Sequence, residues 1–198
     1  MRLLAVTLAG LVLAAPAGAA LRPGDNATVD VTVATLWKAP NLARAIDRPS
    51  LGNPVDLDAW NRNLATTASR VWLDAHVQTQ ALYAQAVTVL ARSGGWVKVA
   101  VNDEPDPQDP HGYPGWLPAS QLRTALPAGG PSVVVLARNA TLTLAGGRTL
   151  ALSYGTTLGV TGRRGTAVLV RTPDGAGSVP AADVGAPLHA SAASIVAQ

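Results

Sequence analysis

The second half of this 198-residue chain repeats the first. A repeat at this spacing means that one small fold is built twice. Ala34-Thr35-Leu36 returns as Ala140-Thr141-Leu142, and Tyr83 ahead of one apolar run returns as Tyr154 ahead of another. The fullest match sets Gly115-Trp116-Leu117-Pro118-Ala119-Ser120-Gln121-Leu122 against Gly177-Ser178-Val179-Pro180-Ala181-Ala182-Asp183-Val184. The offset between copies falls from 106 at Ala34 to 71 at Tyr83 and 62 at Gly115. The first copy therefore carries about 35 extra residues before Tyr83 and about 9 more before Gly115.

Each copy reads as short strands. Thr28 to Leu36 alternates, with Val29, Val31 and Val33 on one face. Ala86–Ala91 and Trp96–Val101 make a hairpin around Ser93-Gly94-Gly95, and Gly115–Leu117 is a further short strand. The chain's 19 Gly and 15 Pro punctuate these runs. The expected fold is all-β, in two tandem modules: residues 20–126, then 127–185 after the turn-rich link Pro127-Ala128-Gly129-Gly130-Pro131. Pro54–Ala75 departs from this pattern. Leu57, Trp60 and Leu64, then Val71, Trp72 and Ala75, recur at helical spacing. Two short helices, the second capped by Thr66 or Thr67, are expected inside an insert spanning about 41–82. Residues 186–198 form an Ala-rich tail or linker.

The first nineteen residues read as a secretory signal peptide. Met1-Arg2 precedes a 13-residue apolar run, and Ala17-Gly18-Ala19 supplies a small-residue cleavage site. The run falls short of the roughly 20 residues that span a bilayer. No transmembrane span is therefore expected, and the mature chain is placed outside the cytoplasm.

Composition removes several function classes. With no Cys there is no disulfide, thiolate metal ligand or Cys nucleophile in this chain. Fifteen Lys+Arg against 12 Asp+Glu leave a net charge of +3, too weak and too scattered for nucleic acid. No G-x-S-x-G elbow, phosphate loop or dinucleotide fingerprint occurs. His76, His111 and His189 stand too far apart to suggest a metal site. Asp103, Glu104, Asp106 and Asp109 crowd one loop, but their spacing fits no calcium loop, and Pro105, Pro107 and Pro110 limit wrapping. That loop is expected to be a solvated, stiff border. No cofactor is expected.

A more specific pattern lies in the strings VTVATLWKAP (31–40), PVDLDAW (54–60), VQTQALY (77–83), GGWVKVAV (94–101) and HGYPGWLPASQL (111–122). They resemble the tandem bacterial SH3 region of secreted NlpC/P60 cell-wall cysteine peptidases. The resemblance implies two SH3-like small barrels, the first carrying the two-helix insert. It also implies peptidoglycan stem peptides (L-Ala-γ-D-Glu-diamino acid) as partners, and an NlpC/P60 catalytic domain in the same full-length protein. Family members place a tyrosine at the position of Tyr113, where it lines the substrate cleft and helps hold a free amino end. Gln85 falls where members often have glutamate in a Tyr-Gly-Glu-Pro string, so a charged partner for an ammonium is lost there. Asp103 and Glu104 border the same region and favour a cationic ligand end. Trp116 is a candidate stacking platform, with barrel packing as its alternative, whereas Trp37 and Trp60 are expected in the core. The family's Cys-based chemistry is not available to these residues. The expected function is a non-catalytic wall-binding module that targets and gates a γ-D-glutamyl–diamino acid endopeptidase. A standalone secreted adaptor for a protein partner is the alternative.

Overall fold

The computed structural model describes residues 21–187 apart from Gln108. The expected signal peptide and most of the Ala-rich tail lie outside the described residues. Fourteen strands are described. The first seven are β1 (Asn26–Val29), β2 (Val33–Trp37), β3 (Val77–Leu82), β4 (Ala86–Ser93), β5 (Trp96–Val101), β6 (Tyr113–Pro118) and β7 (Leu122–Thr124). The second seven are β8 (Ser132–Val135), β9 (Asn139–Leu144), β10 (Thr149–Ser153), β11 (Thr157–Arg164), β12 (Ala167–Thr172), β13 (Gly175–Pro180) and β14 (Val184–Gly185).

The two halves share one topology. The first sheet runs β3-β2-β6-β5-β4-β1-β7 and the second β10-β9-β13-β12-β11-β8-β14, the same order shifted by seven. The named sheet pairings are all antiparallel. Even the irregularities repeat: the β4–β5 ladder shifts register between Val89 and Ala91, and the β11–β12 ladder between Val160 and Gly162. Bulges of this kind bend a strand and tighten its twist, which helps a small sheet to curl. Each half wraps its own core, with Val29, Leu36, Val99 and Leu117 in the first and Leu142, Leu152, Val170 and Val179 in the second.

The glycine that opens the repeat motif has a packing cause. A Cβ on Gly115 would stand 2.6 Å from the Cβ of Leu36, and one on Gly177 would stand 2.8 Å from Leu142 Cδ1. Leu36 and Leu142 are themselves the leucines of the matched Ala-Thr-Leu triplets, so each copy keeps the same Leu-over-Gly pair. Gly115→Val should destabilise the first barrel by about 1–3 kcal/mol through overpacking, read as a lowered urea midpoint with m unchanged.

The strand expected over Thr28–Leu36 is in fact two. The chain leaves β1, which pairs with β4 and β7, and turns through Asp30–Thr32 into β2, which pairs with β3 and β6. This corner is held by polar contacts that alternation does not encode. The Asp30 carboxylate accepts from Arg123 Nε at 2.6 Å and Asn53 Nδ2 at 2.9 Å.

The insert also differs at one boundary. Val77–Leu82, placed within it by sequence, is β3, in register with β2 from Val33↔Leu82 onward. What remains is a 3-10 helix at Ala45–Ser50, helix α1 (Leu57–Asn63) and helix α2 (Thr67–His76). Asp56 caps α1 by accepting from Ala59 N at 2.8 Å, and Thr66 caps α2 by accepting from Ser69 N at 3.1 Å. Asp47, fully buried, binds these pieces together. It accepts from Trp60 Nε1 at 2.9 Å, Arg44 N at 2.9 Å and Arg44 Nε at 2.8 Å. Arg44 in turn donates to Ser69 O at 3.1 Å and lies 3.8 Å over the Trp72 ring. Trp72 stands 6.4 Å from Trp37, which is fully buried, while Trp60 is also buried. Gln121 ties the insert to the barrel by donating to Ser50 O and Gly52 O, both at 2.9 Å. Its repeat counterpart, Asp183, stands in the copy that has no insert.

Candidate ligand-binding site

Three expected site residues converge at one end of the first barrel. Gln85 lies just before β4, Asp103 just after β5, and Tyr113 opens β6 directly opposite Val101. The β4–β5 register sets Val87 against Val101, which draws the Gln85 and Asp103 segments together. The Gln85 amide is oriented without ambiguity. Its Oε1 accepts from Leu82 N at 2.8 Å, so its Nε2 must be the atom that donates to Asp103 Oδ1 at 2.6 Å. Gln85 thus fixes an exposed carboxylate in place and adds no second charge. A glutamate at 85 would set two carboxylates against each other at this distance.

Glu104 and Trp116 point elsewhere. The Glu104 carboxylate accepts from Thr79 Oγ1 on β3 at 2.8 Å. Its pKa is raised above the ordinary value, first by burial and then by the neighbouring Asp103, with the Thr79 hydrogen bond opposing. Trp116 has the outward parity of β6, alternating with buried Gly115 and Leu117, and is paired with Trp37 and Lys98. It therefore sits beside Trp37, whereas Tyr113 has the parity of the core-facing residues at the barrel's end. In the loop between Asp103 and Tyr113, Asp109 accepts from His111 N at 2.9 Å, and His111 Nδ1 lies 3.0 Å away. These contacts hold the Asp109 carboxyl below its usual range.

The second barrel completes this end, which the sequence pattern did not show. A cleft of about 220 Å³ is lined by Tyr83, Gln85 and Asp103 from one barrel and Gly155 and Thr157 from the other. Tyr83 forms the joint. It belongs to the turn after β3, yet it is fully buried among Leu142, Leu152 and Val170 of the second core. Its hydroxyl donates to Asp174 Oδ2 at 2.9 Å, and Asp174 is paired with Arg148 at 2.7 Å. Burial is the main force pushing the Tyr83 phenol far above its ordinary pKa, so it stays a neutral donor. Thr32 Oγ1 adds a second cross-barrel bond to Ala151 O at 2.8 Å. Tyr154, the repeat counterpart of Tyr83, is exposed: equal sequence positions have unequal roles because only one faces a neighbouring barrel.

Among the described residues, no three His, Cys, Asp or Glu side chains are placed to hold a metal ion. No helix there is long and apolar enough to cross a membrane. The cleft offers one fixed carboxylate and a floor of small side chains, with Tyr113 outside its lining at the same end of the first barrel.

Comparison with known proteins agrees with this architecture. Residues 73–122 match the family described as the bacterial dipeptidyl-peptidase Sh3 domain. The chain is 47% identical over 100 residues to a γ-D-glutamyl-L-lysine dipeptidyl-peptidase of Bacillus cereus (strain ATCC 10987 / NRS 248). It is 38% identical over 102 residues to the protein of the same name from Bacillus subtilis (strain 168). Each alignment takes in 50% of this chain but only 30% and 34% of the relatives' own lengths. In structure, the chain is similar to an NlpC/P60 family protein from Bacillus cereus ATCC 10987, with a TM-score of 0.75 and 35% identity. That likeness covers 81% of this chain and 56% of the other. With a family match in the first barrel and a fold likeness reaching across most of the chain, residues 73–122 resemble a bacterial dipeptidyl-peptidase SH3 domain, and the chain is similar to part of two γ-D-glutamyl-L-lysine dipeptidyl-peptidases and of an NlpC/P60 family protein.

Proposed function

We propose that this chain is a non-catalytic, secreted or periplasmic module that binds peptidoglycan stem peptides. In that role it targets and gates an NlpC/P60 catalytic domain that cleaves γ-D-glutamyl–diamino acid bonds. The observation that carries this reading is the Asp103 carboxylate, fixed at 2.6 Å by the Gln85 amide in a cleft between the barrels. A free α-amino group is a strong match for it, because a charge-assisted hydrogen bond is roughly twice as strong as a neutral one. Asp103 thereby supplies the charge that glutamine at 85 does not. Tyr113, at the same barrel end, offers an apolar ring and one hydroxyl to the first residue of the peptide. The relatives' names, which specify a γ-D-glutamyl-L-lysine bond, support the peptide class.

Tyr113→Ala tests the reading. Affinity for an L-Ala-γ-D-Glu-diamino acid peptide, measured by calorimetry, should fall about ten-fold, the equivalent of one hydrogen bond and part of a ring contact. Tyr113 is only half-buried, so the melting temperature should move by only a few degrees. Unchanged affinity alongside unchanged melting would overturn the assignment.

A further inference from the structure

The cleft at Asp103 does not end there. A second cleft of about 450 Å³ follows the seam between the barrels, past the linker, to Arg171 on β12. Ala84, Ala86 and Thr157 line both clefts, so the two adjoin along the seam. Their walls are largely alanine, glycine and short polar side chains, which leave room for a peptide backbone.

Arg171 is the unusual group in this groove. Arg44 and Arg171 are the only half-buried arginines among the described residues. Arg44 has the Asp47 carboxylate at 2.8 Å. Arg171 has no carboxylate within ion-pair distance among the described residues, and its guanidinium donates only a long hydrogen bond, to Gly129 O at 3.5 Å. Its guanidinium lies against Gly159, its cross-strand partner, where an added Cβ would come within 3.2 Å of Nη2. Glycine at 159 thus lets the guanidinium settle onto bare backbone inside the groove. A guanidinium partly withdrawn from water and lacking a counter-charge favours an incoming carboxylate, whose two oxygens fit its planar fork.

The geometry points to a zwitterionic groove, in which a short peptide sets its ammonium against Asp103 and a carboxylate against Arg171. This inference rests on the reading of Asp103 as an ammonium site and adds the opposite end and the ligand's direction along the seam. The second barrel then contributes directly to binding, through Thr157 and Arg171.

The test uses the full chain, with tetraalanine, N-acetyl-tetraalanine and tetraalanine amide as probes in NMR titrations. Tetraalanine should shift the signals of Thr157 and Arg171 saturably. Capping either end should weaken it about ten-fold. In Arg171→Gln the free acid and the amide should bind equally, while the penalty for N-acetylation persists. Equal binding of acid and amide by the unaltered protein overturns the proposal, as does a retained preference for the acid in Arg171→Gln. If that variant does not fold, the capped probes on the unaltered protein decide alone. Titrating the stem peptide in parallel separates the two readings. Stem-peptide binding that depends on Tyr113 but ignores carboxylate capping overturns the groove alone. A double preference for tetraalanine without stem-peptide binding overturns the wall-peptide reading and leaves the groove.

Discussion

Replacing Tyr83 with alanine should cost about 3–5 kcal/mol of stability, the range for deleting a buried aromatic ring, and should uncouple the two barrels. The ring fills a position in the second core although its backbone belongs to the first barrel. Its loss leaves a cavity on one side of the seam and takes away the donor that Asp174 receives at 2.9 Å. Urea unfolding followed by two probes, one per barrel, should change from one shared transition to two. A single coincident transition in Tyr83→Ala would show that other contacts, such as Thr32 to Ala151, suffice to join them. Tyr83→Phe keeps the ring and loses the hydroxyl, so about 1–2 kcal/mol is expected. The phenol also predicts an alkaline response. Its pKa is raised in the folded state, so above about pH 10, where an unfolded tyrosine ionises, the folded form holds its proton more tightly and stability falls as pH rises. Tyr83→Phe should lack that component.

Asp47→Ala should be comparably damaging, at about 3–5 kcal/mol, because it leaves Arg44 without its counter-charge and the buried Trp60 indole N–H without its acceptor. The damage should be concentrated in the insert. Trp60 and Trp72 would lose their fixed surroundings, and Trp37 would lose part of the cover that keeps it from water. A red-shifted tryptophan emission, with barrel strands still protected in hydrogen exchange, is the expected signature. Uniform loss of protection would mean that the insert and barrel are one cooperative unit. The acid response follows from the same contacts. Burial alone would raise the Asp47 pKa, but hydrogen bonds from Arg44 and Trp60 outweigh it and hold the carboxyl below its ordinary value. The stability this carboxylate contributes is therefore present above about pH 4, the unfolded value, and disappears as pH falls through the lower folded one. Asp47→Asn should show a flatter acid limb.

What could be read from sequence was whatever recurs locally. The paired Ala-Thr-Leu triplets and Gly-x-[Leu/Val]-Pro motifs marked two copies, and the structure explains them as one Leu-over-Gly contact used twice. Helical spacing found α1 and α2, and Thr66 is the cap. Val77–Leu82 falls within the expected insert because its apolar residues do not alternate in VQTQAL, and only its pairing with β2 makes it a strand. The break at Asp30–Thr32 escaped because Val29, Val31 and Val33 keep one alternation straight through a corner. Gln85 and Asp103 can each be named from sequence, but their contact depends on the β4–β5 register, and β6 brings Tyr113 only to the same barrel end. The places of Tyr83, Thr157 and Arg171 along the seam were out of reach. Tyr83 and Asp174 lie 91 residues apart, and no local period connects them.

Both barrels close the same way, with the last strand laid beside the first, but across very different lengths of chain. In the first, Ala27 meets Thr124; in the second, Val135 meets Val184. The helical insert roughly doubles the loop to be closed, and each doubling adds about 0.6 kcal/mol of entropy cost. If that cost falls on the folding barrier, it is a factor of roughly three in rate at room temperature. The two copies of one topology are thus set to fold at different speeds, with the second barrel ahead. The second core then waits for the Tyr83 ring until the late-closing first barrel delivers it, and the seam becomes the last part of the molecule to be made.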